Sequence, residues 1–150
     1  MSNAEVAVPF ESTIEVRDAC LCLHLRRAAR ASTRRFDAAF RPLGLTSGQF
    51  SLMMSLNRPE PPTIGMVASL LAMDRTTLTA DLKPLERRGL VTVTIDAADR
   101  RSRRLELTDA GRRLLAAALP LWRRQMQDEM QRLPAVADPD HLRTALRALS

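Results

Sequence analysis

The fold is decided by residues 74–107, which read DRTTLTADLKPLERRGLVTVTIDAADRRSRRLEL. Residues 75–88 have the spacing of a helix, and Asp74 is a residue type that caps helix starts. The period then changes, because residues 90–95 and 103–107 alternate apolar and polar side chains as the strands of a hairpin do. The stretch therefore predicts a helix that leads directly into a two-stranded β-ribbon with a polar turn.

Two shorter helices are predicted before this stretch. Thr46 or Ser47 caps the first, the proline-rich segment 58–62 separates the two, and Thr63 caps the second. A short helix joined to the next by a tight connection forms a helix-turn-helix, whose second helix enters the DNA major groove by its N-terminal turns. The sequence therefore predicts this motif with residues 75–88 as the recognition helix.

Longer helical patterns flank the motif on both sides. A helical pattern begins at Thr13, with one face recurring at steps of three and four from Leu21 to Leu43. It stops before Gly44, which predicts one continuous helix of roughly 28 residues. Two more helices follow Thr108, and the second of them begins at Pro139. The predicted fold class is mainly α with a small β-hairpin wing, a winged helix-turn-helix with a helical dimerisation region.

These elements divide the chain into segments with different expected roles. Residues 1–12 are expected to be a flexible N-terminus, and residues 13–150 a single domain. Within that domain we expect the winged helix-turn-helix at 46–107 and dimerisation helices at 13–44 and 108–150. The first helix has an apolar face with little of its own domain to cover it, so the expected partner is a second copy of the chain.

The composition excludes several classes of protein. The chain has 150 residues, of which 45% are hydrophobic, so it can bury a core and is not a disordered tail. It has neither an apolar run of about 20 residues nor a basic, apolar start, so we expect no membrane segment and no secretory signal. Its two cysteines exclude a disulfide-stapled scaffold and indicate a reduced, cytoplasmic setting.

The charge is positive and unevenly distributed. The net charge is +6, and residues 75–104 carry eight basic and four acidic side chains, which is +4 of that total. Nearly all basic residues are arginine, which suits phosphates and guanine edges, although a GC-rich genome would also favour arginine codons. The position of this charge beside a helix-turn-helix favours double-stranded DNA as the partner over a merely solvated hairpin. The expected DNA contacts are Thr63, Arg75, Thr76, Thr77, Thr79, Lys83, Arg100, Arg101, Ser102 and Arg103.

Several of these motifs together resemble a known family. The chain is similar to the MarR-type winged helix-turn-helix regulators at D-R-T-T-L-T (74–79), L-E-R-R-G-L-V (85–91), D-x-x-D-R-R-S (96–102) and L-T-x-x-G (107–111). The resemblance implies a homodimer that binds a pseudo-palindromic operator, and it implies that a small ligand or an oxidant releases the DNA. The expected function is therefore sequence-specific transcription regulation by a ligand-responsive repressor that occludes a promoter.

Two cysteines in the first predicted helix raise an alternative, a cysteine-based oxidant-sensing repressor. Cys22 lies at a position similar to that of the reactive cysteine in the organic-hydroperoxide-sensing branch of the family, and Arg26 is a nearby cation that could stabilise a thiolate. That branch uses tyrosines around its cysteine, and this chain has none. On a continuous helix Cys20 and Cys22 would point about 200° apart and would not bond to each other. The other interpretation is that both are buried structural residues.

The residues that would bind an effector are less sharply indicated. His24 and Arg26 lie near the expected cleft between the dimerisation helices and the winged-helix region, where we expect a small aromatic or anionic effector. The sequence contains no metal, nucleotide or catalytic motif, so neither a cofactor nor an enzyme activity is expected. A winged helix that binds protein instead of DNA is a further alternative, which the basic wing disfavours. Core positions are expected for Met53, Met54, Met66, Trp122 and Met126.

Overall fold

The computed structural model describes residues 7–150, and within them it confirms a mainly helical fold with one β-hairpin. The α-helices are α1 (Phe10–Ala19), α2 (Leu21–Phe40), α3 (Ser47–Ser55), α4 (Ile64–Leu70), α5 (Arg75–Arg87), α6 (Asp109–Arg132) and α7 (Pro139–Arg147). The strands β1 (Val91–Ile95) and β2 (Arg103–Leu107) are antiparallel, with Val93 opposite Leu105. Among the described residues, no helix has the length and apolar character that a membrane span requires.

The three helices of the winged helix-turn-helix and the long helix that follows it begin at predicted cap residues. The side-chain oxygens of Thr46, Thr63, Asp74 and Thr108 each accept a hydrogen bond from the backbone N–H three residues further on. At Thr46 the cap is reciprocal, because the Gln49 side chain accepts the Thr46 N–H at 3.1 Å. These side chains satisfy backbone donors that a helix start leaves without a partner, and they fix where each element begins.

The prediction of one continuous first helix is wrong. α1 starts at Phe10, before the expected start at Thr13, and the helical path is interrupted at Cys20, which has φ −72° and ψ 104°. The N–H of Leu23, in the first turn of α2, donates to the Cys20 sulfur at 3.4 Å. The sulfur thus acts as a weak N-cap for α2. Residues 1–6 of the expected flexible N-terminus lie outside the described part of the chain.

Two prolines lie inside helices without ending them. α5 continues beyond Pro84 to Arg87, and α6 runs through Pro120. The start of α6 also explains the L-T-x-x-G motif, because a Cβ at Gly111 would lie 2.1 Å from the carbonyl oxygen of Leu90. Only glycine allows α6 to start this close to the strand.

The described part of the chain forms two compact units, one that ends at Arg34 and one that runs from Arg35 to Ser150. The hydrophobic core lies in the second unit, where the rings of Phe40 and Phe50 stack with their centroids 4.7 Å apart. Burying a large apolar side chain stabilises a fold by about 1.5–3 kcal/mol. Fully buried members of this core are Phe40, Met53, Leu78, Leu85, Leu105 and Ala118.

Some of the expected core residues are exposed. Met53 is buried as predicted, and Trp122 packs against the core while remaining partly exposed. Met54 and Met66 were expected in the core, but 38% and 47% of their surfaces are exposed. The prediction is wrong for these two because α3 and α4 turn one face away from the core, and a sequence period alone does not show how wide the covered face is.

Candidate nucleic-acid interface

The N-terminal turn of α5 is held by its capping residue. The Asp74 carboxylate accepts the Thr77 hydroxyl at 2.7 Å and the Thr77 N–H at 2.8 Å. These bonds, the hydroxyl first, lower the pKa of Asp74 below its usual range. The Thr79 hydroxyl donates to the carbonyl of Arg75 at 2.7 Å. The hydroxyl hydrogens of Thr77 and Thr79 are therefore already used inside the helix.

Three other predicted contact residues on α5 have side chains available for binding. Arg75, Thr76 and Lys83 are exposed, and within residues 7–150 their side chains make no hydrogen bond or ion pair. They lie at the start of α5 and two turns later. These are the positions from which a recognition helix contacts base edges and neighbouring phosphates.

The turn of the wing is shaped by Asp99. Its carboxylate accepts the Arg101 N–H at 3.0 Å, and its carbonyl accepts the Ser102 N–H at 2.9 Å. The guanidinium of Arg103 folds back to donate to the Arg100 carbonyl at 3.2 Å. The guanidinium groups of Arg100 and Arg101 have no such bond within the described chain, so the turn presents two cations to solvent.

Arg104 anchors the wing, a role that the sequence did not reveal. Its Nε donates to the Asp96 carboxylate at 3.1 Å and its Nη1 to the Pro61 carbonyl at 2.8 Å. Beside it, the Leu105 N–H donates to the Pro62 carbonyl at 2.9 Å. The Ala98 N–H, and after it Arg104, lower the pKa of Asp96. The base of the wing is thereby tied to the segment that leads into α4.

The predicted contact residues converge on two neighbouring concavities, each of about 350 Å³. One lies between the start of α4, the start of α5 and the wing, and the other lies along α5. Both are lined by Arg75 and Thr79, so they adjoin at the start of the recognition helix. Eight of the ten predicted residues line them, and the two that do not are Thr77 and Arg100.

Gly65 is a second residue that the sequence analysis missed. A Cβ at this position would lie 2.9 Å from Nη2 of Arg75. The missing side chain leaves room for the Arg75 guanidinium to lie against the first turns of α4. No sequence motif predicts this role, because a glycine inside a short helix does not indicate which side chain will pack against it.

A different kind of cavity, about 370 Å³, lies between α3, the end of α4 and α6. We call it the apolar cavity, and neither His24 nor Arg26 contributes to its lining. Both of those residues lie in the first unit and are exposed, and His24 borders a shallow charged depression there with Arg17, Asp18 and Arg27. The residues of the apolar cavity are Phe50, Ser51, Met54, Ser55, Leu70, Leu71, Leu119 and Trp122.

The cysteines are not both buried, which contradicts the interpretation that both are buried structural residues. Cys22 is exposed and Cys20 is partly exposed, and both are free thiols. The break at Cys20 also removes the premise that the two residues lie on one continuous helix. Among the described residues, no group of three or more His, Cys, Asp or Glu side chains is arranged to hold a metal ion.

Comparison with known proteins assigns the chain to a family. A model of the MarR family matches residues 45–102. The organic hydroperoxide resistance transcriptional regulator of Bacillus subtilis is 30% identical over 101 residues, which are 67% of this chain and 69% of that protein. The chain belongs to the MarR family.

Two further relatives of this MarR-family chain are similar over most of its length. The HTH-type transcriptional repressor NicR of Pseudomonas putida is 32% identical over 111 residues, which are 74% of this chain and 70% of NicR. The M. tuberculosis regulator MosR, solved in complex with DNA, is 39% identical, with a TM-score of 0.76 over 87% of this chain and 92% of MosR. As a MarR-family protein the chain is a DNA-binding transcriptional regulator, and the surface of α5 and the wing is its candidate DNA interface.

Proposed function

We propose that this regulator is a homodimeric repressor that binds a pseudo-palindromic operator and releases it when a small molecule occupies the apolar cavity. The DNA part of the proposal rests on one observation, that side chains of α5 and of the wing come together at Arg75. Arg75, Thr76 and Lys83 would enter the major groove, while Arg101 and Arg103 would meet phosphates or an adjacent minor groove. The activity is binding and steric occlusion rather than catalysis. The name of NicR, a repressor, supports the direction of control.

Exposed apolar residues at both ends of the chain support the homodimer. α1 and α7 contain no buried residue. Phe10 is 71% exposed on α1, and Leu142 and Leu146 are 41% and 40% exposed one turn apart on α7. A second copy of the chain would cover these faces about a two-fold axis, which also makes the DNA site two-fold. We therefore expect half-sites about one helical turn apart.

The apolar cavity adjoins the turn of the helix-turn-helix, which supports its role in release. Leu70 ends α4 and Leu71 is its C-cap, and both line the cavity. Ala72 follows with a left-handed φ of 51°, and Asp74 then caps α5. A molecule that moves Leu71 would therefore tilt the start of the recognition helix. It would release DNA only if it binds the DNA-incompetent state more tightly.

Selection of DNA fragments by the purified protein, followed by footprinting, tests the DNA part. We expect a pseudo-palindrome and a salt-dependent gel shift. Random enrichment, or a single half-site, would contradict the proposal. Sedimentation at micromolar concentration tests the dimer, with Leu142→Glu/Leu146→Glu as the disrupting variant and Glu106→Gln as a surface control. A folded wild-type monomer would also contradict it.

A second candidate trigger is oxidation of the thiols, which the helix break at Cys20 favours. The Cys20 sulfur lies at the start of α2, and Cys22 is exposed two residues further along the chain. A hydroperoxide would oxidise one thiol to a sulfenic acid and be reduced to an alcohol, and condensation with the other thiol would release water and form a disulfide. The similarity to the B. subtilis hydroperoxide resistance regulator also supports this candidate.

Peroxide titration of the protein–DNA complex separates the two triggers. If a thiol is the switch, micromolar peroxide releases the wild type, while Cys22→Ser or Cys20→Ser stays bound. If the small molecule is the switch, all three proteins respond alike to peroxide, and only an apolar ligand releases them.

A further inference from the structure

The face of α5 that lines the second concavity of the candidate interface has charged ends and a small apolar middle. All of its side chains are exposed, and in chain order they are Arg75, Thr76, Thr79, Ala80 and Lys83. The helix rises about 12 Å from Arg75 to Lys83. The two cations can therefore contact phosphates or bases on either side of the base pair that faces Thr79 and Ala80.

The hydroxyl of Thr79 is engaged with the backbone of its own helix. It donates to the Arg75 carbonyl at 2.7 Å, so its only hydrogen is already used. A threonine side chain ends in one hydroxyl and one methyl group, so the methyl group is left to contact a base. Ala80, the next residue, adds a second methyl group and has no polar side-chain atom. The middle of the face is therefore apolar, although both residues are exposed.

From this arrangement we propose that Thr79 determines part of the operator sequence by recognising thymine through the C5 methyl group of that base. This conclusion rests on the proposed entry of α5 into the major groove. Only thymine presents a methyl group there, and the side chains that contact it include alanine and the methyl group of threonine. A guanine opposite Thr79 would need a hydrogen-bond donor, which this side chain has already used.

Replacing thymine by deoxyuridine in the selected operator removes only the C5 methyl group and keeps the base pair. The thymines are replaced one at a time, and fluorescence anisotropy with labelled duplexes measures the dissociation constants. We expect one thymine in each half-site whose replacement weakens binding of the full-length wild type by about fourfold. This is the loss that corresponds to the burial of one methyl group.

Two variants of Thr79 test whether that thymine contacts this side chain. Thr79→Ser keeps the hydroxyl and removes the methyl group, so it should bind the operator about fourfold more weakly and lose no further affinity when the thymine is replaced. Thr79→Val keeps the methyl group and lacks the hydroxyl, so it should bind within about twofold of the wild type and stay sensitive to the replacement. Thr33→Ser removes the same methyl group from an exposed position on α2 and is the matched control. Circular dichroism establishes that each variant is folded.

Three results would overturn the proposal. The first is an operator in which no deoxyuridine replacement weakens binding. The second is a folded Thr79→Val that binds as weakly as Thr79→Ser, because the DNA would then use the hydroxyl oxygen, as an adenine or cytosine amino group does. The third is equal sensitivity of the wild type and Thr79→Ser to the replacement, which would assign the thymine to another residue.

The same experiment separates this proposal from the proposed function. Failure of the wild type to select any operator contradicts the proposed function and this inference together. Each of the three results above, obtained with an operator that the wild type binds, contradicts the thymine contact alone.

Discussion

The two ends of the turn between α4 and α5 lie in opposite chemical environments. Leu70 and Leu71 end α4 in the wall of the apolar cavity, whereas Asp74 and Arg75 begin α5 at the candidate DNA interface. Only Ala72 and Met73 separate the two pairs. The apolar side is shaped by packing and the polar side by hydrogen bonds. A displacement on the apolar side therefore reaches the polar side through two residues.

The largest expected effect comes from removing arginine side chains from the candidate DNA interface. Arg75→Ala combined with Arg101→Ala should weaken operator binding by about tenfold or more for each arginine, and should reduce the salt slope by about one unit per lost phosphate contact. Fluorescence anisotropy with labelled operator at several salt concentrations measures both. Arg132→Ala combined with Arg123→Ala removes the same two positive charges from α6 and is the control. An unchanged affinity in the double variant would remove α5 and the wing from the interface.

A smaller effect is expected when the wing keeps its charge at the tip but loses its anchor. Arg104→Leu removes the bonds to Asp96 and to the Pro61 carbonyl, so the wing should be less well positioned for DNA. We expect weaker operator binding with a smaller change in salt slope than Arg101→Ala produces. The same anisotropy titrations compare the two variants. A slope change as large as that of Arg101→Ala would mean that Arg104 contacts phosphate directly.

Acid should remove the contribution of the Asp96 anchor. The pKa of Asp96 in the folded protein is lowered by the Ala98 N–H and by Arg104, from an ordinary value of 3.8. Its contribution to stability is therefore complete above that value and is lost as the pH falls through the lower folded pKa. We expect the urea midpoint of Asp96→Asn to lie below that of the wild type at pH 7 and to converge with it in acid. Glu106→Gln, on the same hairpin, is the control, and a constant gap would contradict the prediction.

The smallest expected effect concerns the turn itself. Ala72 has a left-handed φ of 51°, a conformation that costs a residue with a Cβ more than it costs glycine. Ala72→Gly should therefore raise the free energy of unfolding by about 0.5–1 kcal/mol. Ala116→Gly, at an exposed position within α6, should lower it by a similar amount. Urea unfolding measures both, and destabilisation by Ala72→Gly would mean that the turn is not strained.

The winged-helix elements could be predicted from the sequence because their signals are local. Side chains such as Asp74 and Thr108 cap backbone groups a few residues away, and the change of period at Leu90 is visible without a structure. The break at Cys20 could not be predicted in this way. Neither proline nor glycine marks it, and a sulfur atom takes the place of a usual cap.

The site could be predicted only in part, for a related reason. Residue type and charge identified the basic α5 and wing, but the hydroxyls of Thr77 and Thr79 donate within the helix, a local competition that residue type does not reveal. The apolar cavity combines side chains from α3, α4 and α6, which are distant in sequence. Their convergence depends on tertiary packing, and so does the placement of Gly65 beside Arg75.

The segment that covers the edge of strand β2 affects the tendency of the protein to aggregate in solution. A two-stranded ribbon is marginal alone, and an open strand edge can pair with another chain and start aggregation. Here Thr63 forms a bridge with Arg104, and the Pro62 carbonyl accepts the Leu105 N–H. Because Pro61 and Pro62 have no N–H, the covering segment offers few donors for further pairing. The same contacts that position the wing thus protect that edge from strand addition when the protein is concentrated.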